Sequence, residues 1–155
     1  MENELDELYN QLAQKIISMI PVDWEKVYYL GEVEKNQMSW SSVFYFEETD
    51  SHLFIKSHNI PEKYDISQQK YDDSLDELNS LLLKTSKCFE DNEQLLWDQL
   101  TFSLIPDGKF TVDFFYDRIS DDGGQVKREL IWAYNNFEYK PQEGTFTRKL
   151  LDSYL

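Results

Sequence analysis

The sequence predicts an α+β fold, a single domain built on a mainly antiparallel sheet of about five strands flanked by helices. Three observations predict it. Two long segments repeat apolar residues every three or four positions, the mark of an amphipathic helix. Five shorter segments are rich in aromatic and β-branched residues, the mark of a strand. The strands are joined by short polar links, which favour antiparallel neighbours. With 155 residues the chain has room for one domain with a real core and too little for two ordinary ones. It contains no Gly/Ser-rich linker, internal repeat or low-complexity run, so residues 1–155 read as one domain.

The elements follow in order. "ELDELYNQLAQKIISMI" places Leu5, Leu8, Leu12, Ile16 and Ile20 on one helical stripe, with Pro21 as a natural stop. "WEKVYYLGEVEK" and "MSWSSVFYFEE" read as a hairpin around the link Asn36-Gln37. In the second strand Met38, Trp40, Phe44 and Phe46 share a face, with Ser39, Ser41 and Glu47 opposite; that alternation suits a sheet with one buried face. "HLFIKSHNI" is a third short strand, ended near Pro61. A long helix follows, with Asp65 and Gln68 resembling a capping box and Tyr71, Leu75, Leu78, Leu82 and Phe89 as its stripe. "LWDQLTFSLI" and "KFTVDFFYD" are two further strands around a Pro-Asp-Gly turn. "VKRELIWAYNNF" reads as a helix, and "FTRKLLDSYL" is the candidate for a last short one. The order is α-β-β-β-α-β-β-α, with that final helix as an addition.

Charge bounds the function. Thirty acidic residues against fifteen Lys plus Arg give a formal net charge of −15. A field of that sign repels nucleic acid and anionic lipid and attracts basic proteins. Direct nucleic-acid binding and membrane binding are therefore not expected. The lone cysteine, Cys88, allows no intrachain disulfide and suits a reducing cytoplasm. Inside a helix it reads as a small apolar filler. The stretch "MENELDELYN" lacks the positive region of a secretory signal, and no apolar run approaches the roughly eighteen residues of a membrane span.

Chemistry finds little footing. Asp113, Asp117, Asp121 and Asp122 fall within ten residues. On one strand Asp113 and Asp117 would share a side but stand roughly 13 Å apart at about 3.3 Å per residue. One ion cannot bridge that gap with metal–oxygen distances of about 2.0–2.6 Å. Asp121 and Asp122 stand where they would favour the start of the following helix. His52 and His58 match no metal spacing, and no Ser-His-Asp, Cys-His or phosphate-cradling glycine motif is present. No enzyme activity, metal or cofactor is expected. Most of Trp24, Trp40, Trp97 and Trp132 read as core. A second acidic concentration, "YDDSLDELN", pairs Asp72 with Asp76 and Asp73 with Glu77 at i,i+4, spacings that cost a few tenths of a kcal/mol each. With the net charge, it reads as a surface that meets Lys and Arg.

Taken together, "IPVDWEKVYYLGEV", "SHNIPEKYDIS", "YDDSLDELNSLL", "WDQLTFSLIPDGKFTVDFFYD" and "RELIWAYNNF" resemble the YezG-like family, which includes EsaG-type antitoxins of Firmicutes. The resemblance runs from about Leu5 to Phe137; after Pro141 it is less clear. It implies a small acidic cytoplasmic immunity protein that binds and neutralises the C-terminal nuclease domain of a toxin exported by the type VII secretion system. It carries over no catalytic residue. The expected partner-facing residues are Asp117, Asp121 and Asp122, past the last strand, with Asp72, Asp73, Asp76 and Glu77 next. Two other classes stand beside it: an acidic DNA mimic acting on other DNA-binding proteins, and a carboxylate-dependent hydrolase holding a divalent metal near Asp113 or Asp121.

Overall fold

The stripe at Leu5, Leu8, Leu12, Ile16 and Ile20 becomes helix α1 (Glu2–Met19), and all five side chains are buried. Ile20 is already extended, as the residue before a proline prefers to be. This computed structural model describes residues 1–34, 38–119 and 124–155. The link Asn36-Gln37 and the pair Asp121 and Asp122 lie outside them. The chain forms two compact units, Met1–Tyr116 and Asp117–Leu155.

The first unit holds one five-stranded antiparallel sheet in the order β3-β2-β1-β4-β5. β1 (Trp24–Val33) lies at the centre, between β2 (Trp40–Glu48) and β4 (Gln99–Leu104). Tyr29 stands opposite Phe44 on one side and Phe102 on the other. β3 (Phe54–Lys56) and β5 (Phe110–Phe115) are the edges. The tight turn from β4 to β5 needs Gly108, whose φ of +92° suits glycine.

The apolar stripes of α1 and the long helix α3 (Gln68–Asp91) join Val27, Tyr29, Phe44, Phe46, Leu100 and Phe102 in one core. Tyr71, Leu78, Leu82 and Phe89 are buried as their spacing predicts, and Leu75 is half-buried. Trp97 is also buried, between Phe89 and Phe114.

Three expectations need correction. Burial does not alternate along β2: Ser42 to Phe46 are all buried, on both faces of the sheet. The run "SVFYF" has the near-continuous apolar character of a strand covered on both sides. Met38 and Trp40 are instead 77% and 46% exposed, because Trp40 sits on the last rung of the β1–β2 ladder and Met38 lies beyond it. Second, β3 has only three residues, and Pro61 starts a structure rather than ending one. A 3-10 turn (Ser57–Asn59) leads into a short helix α2 (Ile60–Tyr64), with Pro61 in its first turn where the fixed φ fits. Third, Asp65 does not cap α3. It closes α2 in the left-handed conformation (φ 54°), and Ser67 caps α3 by accepting from the Lys70 N–H at 3.2 Å.

The second unit has two helices, α4 (Gln125–Phe137) and α5 (Phe146–Tyr154). Trp132 meets Phe137 edge-on at 5.5 Å, and Glu138 ends α4 in the left-handed conformation. Thr145 caps α5 by accepting from the Arg148 N–H at 3.2 Å. The Arg148 guanidinium donates to the Pro141 carbonyl at 3.2 Å, which ties the connection to α5.

Two outcomes follow for stability. Gly31 is the point of closest approach between sheet and helix: a Cβ there would stand 2.6 Å from Leu82 Cδ1 and 2.8 Å from the Tyr29 hydroxyl. Neither neighbour can yield easily, since Leu82 and Tyr29 are fully buried and Tyr29 is hydrogen-bonded to Ser42 at 2.6 Å. Gly31→Ala is expected to cost about 1–3 kcal/mol by overpacking, read as a lower urea midpoint with an unchanged slope. At the end of β2, the Glu48 carboxylate accepts from the hydroxyls of Ser51 and Tyr64, which hold its pKa below the usual glutamate value. A depressed folded pKa adds stability above the unfolded value and loses it as pH falls through the folded one. Glu48→Gln should therefore lower the Tm at neutral pH, and the gap from the parent should close as pH drops below about 4. A pH-independent gap would remove the carboxylate from this account.

Candidate functional site

The four acids in the first half of α3, Asp72, Asp73, Asp76 and Glu77, are all exposed, and the helix presents them on one face. At about 100° per residue, Asp72, Asp76, Asp73 and Glu77 follow one another round an arc of about 140°, one broad face of the helix. The Glu77 end of that face meets α1, where Glu77 forms an ion pair with Lys15. The Gln68 amide donates to Asp72 at 2.9 Å, and the Gln69 amide donates to Asp73 at 2.8 Å. Asp76 is the member of the four with no hydrogen bond or ion pair among the described residues. The like-charge spacings are thus relieved by local amides, one lysine and the positive end of the helix dipole.

Of the four aspartates around the end of the sheet, Asp113 and Asp117 lie among the described residues. Asp113 is exposed near the middle of β5, opposite Thr101. β5 ends at Phe115, and Asp117 lies beyond it in a left-handed conformation (φ 58°). The two therefore do not share a strand, and the separation argued from strand geometry does not apply to them. Asp121 and Asp122 lie outside the described residues.

One acidic concentration goes unnoticed in the sequence. α1 runs antiparallel to α3: Lys15 near the end of α1 reaches Glu77 early in α3, while Glu4 at the start of α1 reaches Cys88 late in α3. That arrangement gathers Glu2, Glu4, Asp6 and Glu7 at the same end as Glu90, Asp91 and Glu93. Only the antiparallel packing joins them, and no local spacing encodes it. Its electrostatic trace is visible. The Cys88 thiol is pushed up first by burial, then by Glu4. Tyr9 is raised to about 12 by burial, then by Asp6.

The charge is unevenly divided. Met1–Tyr116 holds 23 acidic and 9 basic residues, a formal −14, whereas Asp117–Leu155 holds 7 and 6, a formal −1. The field therefore belongs to the sheet-bearing unit.

Among the described residues, no three His, Cys, Asp or Glu side chains are grouped to hold a metal ion. His52 sits in the β2–β3 connection, 3.8 Å from Glu47, and His58 lies edge-on to Tyr71. Of the tryptophans, Trp97 is fully buried, Trp24 and Trp132 are half-buried, and Trp40 is exposed. No helix among the described residues is long and apolar enough to cross a membrane.

Known proteins share this sequence pattern over most of its length. A family described as "Immunity protein YezG-like" matches residues 5–151, which spans both units. The chain is 33% identical over 153 residues to a Bacillus spizizenii protein named Immunity protein YezG, covering 98% of this chain and 93% of that one. It is 31% identical over 142 residues to a Staphylococcus aureus protein named Type VII secretion system protein EsaG, covering 91% and 86%. A Bacillus subtilis Immunity protein YezG is 29% identical over 140 residues, covering 90% and 91%.

The Lys15–Glu77 pair gives a test of how much of this acidity is structural. Glu77 is 64% exposed, so the pair is screened by water. A double-mutant cycle on Lys15→Ala and Glu77→Ala, read by urea unfolding, should give a coupling of about 0.2–1 kcal/mol. A coupling several times larger would make Glu77 a structural residue rather than a surface one.

Proposed function

The chain belongs to the YezG-like immunity protein family, and on that premise we propose that it binds and neutralises the nuclease domain of a toxin exported by the type VII secretion system. It acts in the cytoplasm, needs no cofactor and performs no chemistry of its own. The observation that carries this reading beyond the family is the charge: −15 in all, −14 of it on one unit. A nuclease must hold a polyanion, so its groove is basic. An acidic inhibitor is steered towards that groove, and steering raises association rates by one to three orders of magnitude at low salt. The same field turns the inhibitor away from nucleic acid.

The proposed contact residues are Asp117, Asp121 and Asp122, followed by Asp72, Asp73, Asp76 and Glu77. Just past β5, Asp117 and Arg118 are exposed, and exposed connections tolerate recognition residues that a packed strand does not. On α3, Asp72, Asp73 and Asp76 support the second patch, because each is exposed and none is committed to a lysine. Glu77 contributes less, since Lys15 already neutralises it.

The decisive experiment is co-purification with the nuclease domain encoded beside it, followed by a nuclease assay. A stable complex and lost nuclease activity are expected, with an association rate that falls steeply as salt rises. Asp121→Lys with Asp122→Lys, at an unchanged Tm, should slow association more than it speeds dissociation. If the double variant neutralises the nuclease as well as the parent at low concentration and physiological salt, Asp121 and Asp122 are not in the interface. A nuclease that stays active beside excess parent protein would end the reading as a whole.

A further inference from the structure

The two edges of the sheet are not alike. β3 has three residues and gives way at once to a helical turn, which leaves little backbone to pair. β5 has six. Two hydrogen bonds set the direction of its backbone groups: the Asp98 N–H donates to the Phe115 carbonyl at 3.0 Å, and the Ile105 N–H donates to the Lys109 carbonyl at 3.2 Å. Backbone direction alternates along a strand, so the odd-numbered residues turn theirs towards β4. Phe110, Val112 and Phe114 turn theirs away from it. Their side chains meanwhile secure the strand: Phe110 stacks on Phe102 at 5.0 Å, and Phe114 meets Phe89 at 5.0 Å and Trp97 at 5.4 Å. Among the described residues nothing else bonds these three outward N–H and three C=O groups. Among the described residues the edge is packed on the core by its side chains and paired with no further strand.

An open edge of this length is a template for another strand, and proteins commonly blunt such edges when nothing is meant to pair there. We propose that β5 receives an extended strand of the partner protein, which adds a sixth strand to the sheet and carries a Lys or Arg beside Asp113. The proposal rests on the immunity reading and specifies how the partner is held. Backbone hydrogen bonds supply attraction in this mode, and alternate side chains supply selectivity. Asp113 is exposed near the middle of the edge, on the face opposite Phe110, Val112 and Phe114. A residue paired beside it would place its Cβ about 4.5–5.5 Å away, where opposite charge is favourable and like charge is not. A second copy of this chain is a poor occupant, because two chains of −15 repel before their edges can meet.

The test is amide exchange by NMR on the full chain, free and saturated with the nuclease domain encoded beside it. The amides of Phe110, Val112 and Phe114 should exchange fast in the free protein and on the order of 100-fold more slowly in the complex. Asp113→Lys should weaken binding roughly two- to tenfold. Val112→Pro removes one outward N–H without touching the β4 ladder, and it should weaken binding further. If Val112→Pro fails to fold, the exchange rates and Asp113→Lys still decide. A complex that inhibits the nuclease while these three amides exchange as fast as before overturns the edge proposal and leaves the immunity reading standing. No complex and an active nuclease overturn both. Protection that already grows with concentration in the free protein would give the edge to a second copy and also overturn the proposal.

Discussion

The first unit depends on the approach of Leu82 to Gly31. The central strand β1 has neighbours on both sides, so it cannot move sideways, and only a residue without a Cβ lets α3 come this near. With α3 held there, its stripe from Tyr71 to Phe89 meets Tyr29, Phe44 and Phe102, and α1 fills the place beside it. The antiparallel pairing of α1 and α3 then follows, and with it the meeting of two acidic helix ends that lie far apart in sequence. A packing constraint on one glycine thus decides where the charges stand.

Much of the fold is legible in the sequence because its signals are local. The 3.6-residue stripes of α1 and α3, the Pro-Asp-Gly turn and the helix "VKRELIWAYNNF" each carry their meaning within a few residues. The failures share a different cause. Asp65 and Ser67 are both good caps, and what decides between them is that α2 ends in a left-handed residue at Asp65. Pro61 stops one kind of element and starts another, and the sequence alone does not say which. The burial of Val43 and Tyr45 alongside Phe44 and Phe46 depends on what covers each face of the sheet, which no alternation within β2 records.

The candidate surface was less legible than the fold. Counting aspartates pointed to α3 and the region past β5 as candidates, but counting cannot show that Glu77 belongs to Lys15 or that Asp117 has left the strand. Nor could it find the acids of the α1 start beside those of the α3 end. A helix surface is read one turn at a time, whereas a charged patch is built by whichever elements tertiary packing brings together.

Fifteen excess negative charges within 155 residues oppose compaction by self-repulsion. The structure limits this cost by keeping most carboxylates on exposed helix faces and loops, where water screens them, and by bonding several to amides and lysines. The exceptions are informative. Glu32 is buried and accepts from the Gln99 amide at 2.7 Å across the β1–β4 pair, so its side chain ties the two strands together. A field made of exposed charges acts at long range and selects any basic partner. Such a field cannot by itself distinguish one basic partner from another. Discrimination must come from short-range geometry, and the strand addition proposed at β5 would supply it through fixed hydrogen-bond spacing and the side chain paired beside Asp113.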